Sequence, residues 1–245
     1  HPAVALLAVA WAMLPSVTFA AGTAGPQAGQ VFADPENPRW LFRYDPSGEP
    51  KPFFMCGAGD PEDFLYRGRR RPDGTRDGDQ DRIIRKLAEA GANGLYIQAV
   101  RSHGGDGDRT HNPFIDNDPA KGLNEKVLAQ WERWFTALDE AGVVIVLFIY
   151  DDSARIWNTG DTVGDAEEAF LRGLVKRFKH HRSLIWCVAE EYRERLSAKR
   201  VSAIAAVLRD ADDRAHPIAV HKNNGLSFRE FADDPNIDHF VIQWN

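Results

Sequence analysis

Two adjacent carboxylates directly follow an apolar segment of the chain. Leu184–Ala189 is continuous and apolar, and Glu190 and Glu191 come immediately after it. Such a run is typical of a strand that is buried on both faces of a parallel sheet. Unpaired carboxylates are costly to bury, so we expect both acids at the edge where the strand leaves the sheet. Carboxyl groups there can act as general acid and base, and in an α/β barrel this edge carries catalysis.

Polar or aromatic side chains also follow several other apolar runs. Besides the glutamate pair, the candidate site residues are Arg101, Asp151, Asp152, His221 and Trp244. Each lies at or just after the end of a predicted strand, which is where the catalytic residues of a β/α barrel lie. Each group also has an ordinary structural interpretation. The aspartates suit a helix cap, the histidine a loop, the tryptophan the core, and the glutamates a solvated helix start.

Strands and helices alternate along the predicted fold. Apolar runs predict strands over 55–60, 94–100, 143–149, 183–189, 217–220 and 239–242. Helical periodicity covers 79–90, 124–142, 165–179 and 197–211, and a hairpin is expected over 37–54. This alternation implies parallel strands joined by right-handed crossovers.

The fold class that we predict is α/β, a (β/α)8 TIM barrel whose lower end is closed by the N-terminal hairpin. A doubly wound sheet would concentrate its site at one switch point, whereas polar residues here end nearly every strand. The segment Gly57–Pro61 also lacks the later glycine of a phosphate-binding loop. A complete barrel has eight strands and about six are found here, so we expect this sequence to be truncated at its C-terminus.

Composition and the first residues indicate an exported globular protein. The chain has 245 residues and a net charge of −6, which argues against nucleic-acid binding. Residues 1–20 resemble a signal peptide that lacks its start, and Thr18–Ala20 suits a cleavage site. We therefore expect a linker over 21–36, a catalytic barrel over 37–245, and a secreted or periplasmic protein that leaves the membrane once the leader is removed.

Cysteine and histidine usage indicates neither a disulfide nor a cofactor. Cys56 and Cys187 both fall in predicted core strands, where they would be small apolar fillers. The spacing of His103, Asp106, Asp108 and His111 matches no specific metal site. We expect no metal and no cofactor.

The segment Leu184–Glu191 resembles the fourth strand of the retaining glycoside hydrolase clan that includes the cellulases. Trp186 stands at an aromatic position of that strand, and Glu191 stands at the position of the acid/base glutamate. The opening, from Asn37–Trp40 to the phrase Gly48–Phe54, is similar to that of the apiosidase-like members. The loop at 112–114 and the helix start at 123–124 are similar as well.

The resemblance implies a carbohydrate substrate and a retaining glycosidase in which Glu191 is the acid/base. Glu190 departs from the pattern because the family has an asparagine there, which hydrogen-bonds the sugar 2-hydroxyl. The resemblance places the nucleophile glutamate at the end of the seventh strand, which would lie beyond residue 245.

Glycoside hydrolysis requires one carboxyl group that stays protonated at working pH, which burial or a neighbouring negative charge can achieve. Glu191 fits this role beside Glu190. We expect Glu190, Asp151, Asp152, His221, Trp244 and Arg101 to bind the substrate or line the site.

The main alternative is a non-catalytic carbohydrate-binding barrel, or a decayed enzyme, and the Glu190 departure supports it. A metal-dependent amidohydrolase would need histidines that close several strands as a tight set, which the sequence lacks.

Overall fold

Two sheets organise residues 27–34, 40–58 and 63–243, which this computed structural model describes. The first is antiparallel, in the order β1 (Val31–Ala33), β2 (Leu41–Tyr44) and β3 (Pro50–Phe53). The second is parallel, in the order β4 (Gly94–Gln98), β5 (Val144–Tyr150), β6 (Leu184–Ala189), β7 (Ile218–Lys222) and β8 (His239–Ile242). The helices are α1 (Gln80–Glu89), α2 (Glu125–Glu140), α3 (Asp165–Phe178) and α4 (Ala198–Ala211). The proposed leader and Trp244 lie outside the described residues.

The three central strands of the parallel sheet, β5, β6 and β7, are buried on both faces, as their apolar sequences predict, whereas the edge strand β8 is partly exposed. One face packs against the helices through side chains such as Ile145, Trp186 and Val220. The opposite face carries Val146 and Ile185 among other small or apolar residues. Strands that follow one another in sequence are also neighbours in the sheet, which is the arrangement of a β/α barrel wall.

The N-terminal hairpin packs against the inner face of this wall. Leu41 of β2 and Val31 of β1 belong to the same buried cluster as Val146 and Ile185. The hairpin and its position as a plug were both predicted. The strand β1 was not, because its three residues lie within the segment that we assigned to a linker.

The prediction of a first buried strand over 55–60 was wrong for the residues that the structure describes. Gly57 makes only an isolated parallel bridge to Gly94. A Cβ atom on Gly57 would lie 1.8 Å from the carbonyl oxygen of Gly94, so the close approach requires glycine. The neighbouring Cys56 is exposed, which corrects its assignment to the core, whereas Cys187 is buried as expected, and both thiols are free.

The helices begin and end close to the predicted residues. The side chain of Asn124 accepts hydrogen bonds from the backbone N–H groups of Lys126 and Val127, at 3.0 and 3.4 Å, and so caps α2. The predicted apolar positions of α2 are all buried: Val127, Leu128, Trp131, Trp134, Phe135 and Leu138. In the ranges described, every helix is too short or too polar to cross a bilayer.

Candidate active site

Glu191 lies immediately after β6 in an unusual backbone conformation. Its φ and ψ angles are 40° and 48°, in the left-handed region that residues with side chains seldom occupy. Its backbone N–H donates a hydrogen bond of 2.8 Å to Nδ1 of His221. A short 3₁₀ turn, Tyr192–Glu194, follows at once. Strain of this kind persists where the surroundings impose it, which is common at functional sites.

The carboxyl group of Glu191 is half-buried and has a raised pKa. Burial is the main cause, and the negative charges of Glu194 and Asp152 act in the same direction. Hydrogen bonds from the side chains of Asn223 and Gln243 oppose the shift without cancelling it. A carboxyl group in this setting keeps its proton to higher pH than an exposed glutamate, as a general acid must.

His221 lies within β7, one residue before its end, and is buried. Burial lowers its pKa to about 4, so the ring is neutral near pH 7. Because Nδ1 accepts the N–H of Glu191, the proton of the neutral ring is assigned to Nε2. The ring packs edge-on against Phe148 of β5, with centroids 5.5 Å apart. His221 therefore holds the backbone of Glu191 in place.

Glu190 is held from across the sheet. Its Oε2 accepts a hydrogen bond of 2.9 Å from Nε2 of Gln98, at the end of β4. Its backbone N–H donates to the carbonyl oxygen of Tyr150, at the end of β5, also at 2.9 Å. Three strand ends are thus joined at the site.

Asp151 is buried, and the hydrogen bonds of its carboxylate go to the backbone. Oδ2 accepts from the N–H of Asp106 at 2.7 Å, and Oδ1 accepts from the N–H of Asp152 at 3.0 Å. Arg101 is buried beside it, with Nε 3.8 Å from Oδ2 of Asp151 and 3.4 Å from Oδ1 of Asp63. Both side chains brace the loop that follows β4, and direct sugar binding by either one stays a prediction.

The structure brings most of the predicted site residues to one end of the sheet. Asp152 lies close enough to Glu191 to raise its pKa, and Glu190 and His221 are adjacent to Glu191 through the contacts above. Trp244 lies outside the described residues. Sequence reasoning did not select Gln98, Asn223 or Gln243. Asn223 and Gln243 follow predicted strands, so the same strand-end rule would have found them. Gln98 lies inside the predicted strand over 94–100, and only the observed end of β4 brings it to the site.

The donors that are suited to a metal lie elsewhere. Among the described residues, Glu132, His180 and His181 form a group of three potential ligands. The two histidines precede β6, whereas Glu191 follows it, so this group lies at the opposite end of the sheet.

Comparison with known proteins identifies a family for most of the chain. Residues 72–245 match the family model described as apiosidase-like, catalytic domain. No curated protein gives a significant match. The family match covers the whole parallel sheet and every strand end discussed above.

Solved structures share the architecture. A putative glycoside hydrolase from Bacteroides vulgatus gives a TM-score of 0.63 at 14% identity, over 88% of this chain and 42% of its own. A glycoside hydrolase family 5 structure from the same species gives a TM-score of 0.62 at 18% identity, over 85% of this chain and 43% of its own. A family 5 mannosidase from Rhizomucor miehei gives a TM-score of 0.56 at 17% sequence identity, over 86% of this chain and 61% of its own.

At these identities the likeness is one of fold, that of the TIM barrel. The chain spans less than half the length of the two bacterial proteins and less than two thirds of the fungal one.

Proposed function

The chain belongs to the apiosidase-like family of catalytic domains, and on that premise we propose that it is the catalytic part of a glycoside hydrolase. The observation that carries the proposal is the setting of Glu191. Its carboxyl group sits at a strand end on a strained backbone, with a pKa raised by burial and by two neighbouring acids. A carboxyl group with a raised pKa at a strand end is what protonation of a leaving-group oxygen requires.

The mechanism that we propose is retaining double displacement. Glu191 donates its proton to the glycosidic oxygen while a second carboxylate attacks the anomeric carbon and forms a glycosyl-enzyme intermediate. Glu191, now ionised, then takes a proton from the water that releases the sugar. His221 keeps Glu191 in place through both steps, because its neutral Nδ1 accepts the backbone N–H.

The nucleophile in this proposal is a glutamate at the end of a later strand of the whole protein. The partial coverage of the similar solved structures leaves room for such a strand. A retaining site would place its carboxyl group about 5–5.5 Å from that of Glu191. Glu190 would accept a hydrogen bond from a sugar hydroxyl, and Asp152 would face the same substrate.

The proposed substrate is an O-glycoside of a plant or microbial polysaccharide or oligosaccharide. The family description points first to apiosides, and the fungal structure is named as a mannosidase, so both sugars belong in a first panel. The apolar leader supports export to the periplasm or the exterior, and the acidic net charge of −6 argues against a nucleic-acid partner.

The test compares wild-type whole protein with a Glu191→Ala variant on aryl apiosides and mannosides of differing leaving group. Loss of an acid/base group should slow cleavage of phenyl glycosides about 10²–10⁴-fold. Cleavage of dinitrophenyl glycosides should suffer less in its first step, because that leaving group needs no protonation. Azide should restore turnover by replacing the water that Glu191 activates. Glu140→Gln, a change at an exposed acid of α2, is the matched control.

Equal losses on both kinds of leaving group, without azide rescue, would exclude Glu191 as the acid/base. Sugar binding by a wild-type protein that turns over no glycoside would instead support the alternative of a non-catalytic carbohydrate-binding barrel.

A further inference from the structure

Glu132, His180 and His181 converge at the end of the sheet remote from Glu191. Nε2 of His180 lies 2.8 Å from Oε1 of Glu132, and Nε2 of His181 lies 3.1 Å from the same oxygen. The three potential ligand atoms all lie within 4.8 Å of one another. Two imidazoles and a carboxylate are a common ligand set for zinc in proteins.

The hydrogen-bonding capacity of this group is incompletely used. His181 is only 3% exposed, yet the contact of its Nε2 with Glu132 is not aligned as a hydrogen bond. Oε2 of Glu132 and Nε of Arg177 are also buried without an aligned partner, although they lie 3.3 Å apart. Polar atoms left in this state are costly. The ion pair of Glu132 with Arg177 accounts for two of the three, so Nε2 of His181 is the atom that needs an explanation.

The two histidines are positioned by regular elements of the fold. They follow α3 and precede β6, and Glu132 projects from the middle of α2. The backbone carbonyl of His181 accepts a hydrogen bond of 2.8 Å from Nε2 of His216. His216 is itself tied to Asp212 through Nδ1, also at 2.8 Å. The backbone of His181 is thus fixed before any ligand binds.

We propose that Glu132, His180 and His181 bind a divalent transition metal, with Zn²⁺ as the preferred ion. Zinc bonds of about 2.0–2.1 Å in a tetrahedral site place ligand atoms about 3.3 Å apart. The two nitrogen–oxygen separations are 2.8 and 3.1 Å, and all three atoms lie within 4.8 Å, so small side-chain shifts would admit the ion. Two nitrogen ligands disfavour Mg²⁺ and Ca²⁺, which select oxygen. The ion would use the otherwise unaligned Nε2 of His181.

The surroundings decide which carboxylate oxygen binds and where the site opens. Arg177 lies on the Oε2 side of Glu132, so Oε1, which both histidines face, is the ligand atom. The side chain of His180 is 56% exposed, so water can complete a fourth position. Three protein ligands and one water suit zinc at an open site.

The consequence of the metal would be stability, independent of the proposed hydrolysis. The ion would join α2 to the connection between α3 and β6. A ligand that binds only the folded chain raises its melting temperature by mass action. The inference therefore stands or falls separately from the role of Glu191.

The test uses tag-free chain treated with EDTA and then titrated with ZnCl₂ by calorimetry, with melting temperatures measured in parallel. We expect one Zn²⁺ per chain and a higher melting temperature. His180→Ala and Glu132→Gln should each weaken binding at least about tenfold and abolish the thermal shift. His180 is exposed, so its loss should leave the fold intact. His103→Ala, which removes another exposed histidine, is the control.

Co²⁺ provides a second readout, since four-coordinate tetrahedral Co²⁺ has intense visible absorption bands. We expect these bands in the wild type and in His103→Ala, and we expect them to be absent in His180→Ala. Absence of Zn²⁺ binding by the wild type, or equal affinity in the wild type and His180→Ala, would overturn the proposal. So would equal weakening by His103→Ala.

Discussion

At the scale of single residues, the carboxyl group of Glu191 is subject to opposing influences. Burial and the charges of Glu194 and Asp152 raise its pKa, while hydrogen bonds from Asn223 and Gln243 lower it. The net shift is upward, so the protonated form persists to higher pH than in water. Each of these charges and hydrogen bonds belongs to a separate side chain and can be removed by itself.

Replacing Asp152 by asparagine should lower the pKa of Glu191, because a nearby negative charge that disfavours ionisation is lost. Replacing Asn223 by alanine should raise it, because a hydrogen bond to the ionised form is lost. The measurement is an NMR titration of the ¹³Cδ resonance of Glu191 in labelled protein. Glu140→Gln, an exposed change on α2, should leave the titration unaltered. An unchanged or higher pKa in Asp152→Asn would contradict this account of the site.

At the scale of elements, the loop after β4 depends on a strand end from β5. The carboxylate of Asp151 accepts the N–H of Asp106, and its Oδ2 atom would lie 2.6 Å from a Cβ atom at Gly105. The loop thus closes tightly over a buried carboxyl group. Gln98 ends β4 and Asp152 follows β5, so the same two strands position both the loop and the site.

Asp151→Ala should release this loop, because the N–H of Asp106 loses its carboxylate acceptor. Loss of a typical hydrogen bond costs about 0.5–1.5 kcal/mol, which corresponds to about two- to twelvefold faster opening. Hydrogen exchange with mass spectrometry should show that acceleration in peptides covering 102–111. Asp152→Ala, at the half-buried neighbour, should leave those peptides unchanged. Equal acceleration in both variants would mean that Asp151 has no special part in holding the loop.

At the scale of the whole molecule, the hairpin supplies part of the core. Leu41 packs with Val146 and Ile185 on the inner face of the parallel sheet and is 8% exposed. The opposite face of the sheet is covered by helices. The inner face of β5 and β6 is therefore shielded from water only when the hairpin is in place. We expect the hairpin and the sheet to unfold together.

Leu41→Ala should destabilise the whole chain by about 2–5 kcal/mol, as for other large-to-small changes in a core. Trp40→Ala removes a larger side chain, but Trp40 is 57% exposed, so that variant should change stability by less than about 0.5 kcal/mol. Urea unfolding followed by circular dichroism measures both. A separate early transition in Leu41→Ala, or a comparable loss in Trp40→Ala, would show that the hairpin is not part of the cooperative core.

The sequence by itself determined most elements of this fold, and it singled out Glu191 as the candidate acid. The apolar run before Glu191 predicts a strand buried on both faces, and the spacing of Trp131, Trp134 and Leu138 predicts the buried face of α2. These properties follow from local period and polarity, which the chain carries without any tertiary contact. Gly57 shows where local reasoning failed, because Gly57 makes a single bridge to Gly94 and the described residues of the predicted strand over 55–60 form no strand.

Only the tertiary structure decided which polar groups meet. Gln98 and Glu190 are 92 positions apart along the chain, yet they share a hydrogen bond. The left-handed backbone of Glu191 and the acceptor role of His221 depend on β6 and β7 lying side by side. The cluster of Glu132, His180 and His181 likewise forms only when α2 packs beside the start of β6. Burial and pairing depend on distances across the sheet, which local sequence patterns do not encode, and these distances set the pKa values and hydrogen bonds of the site.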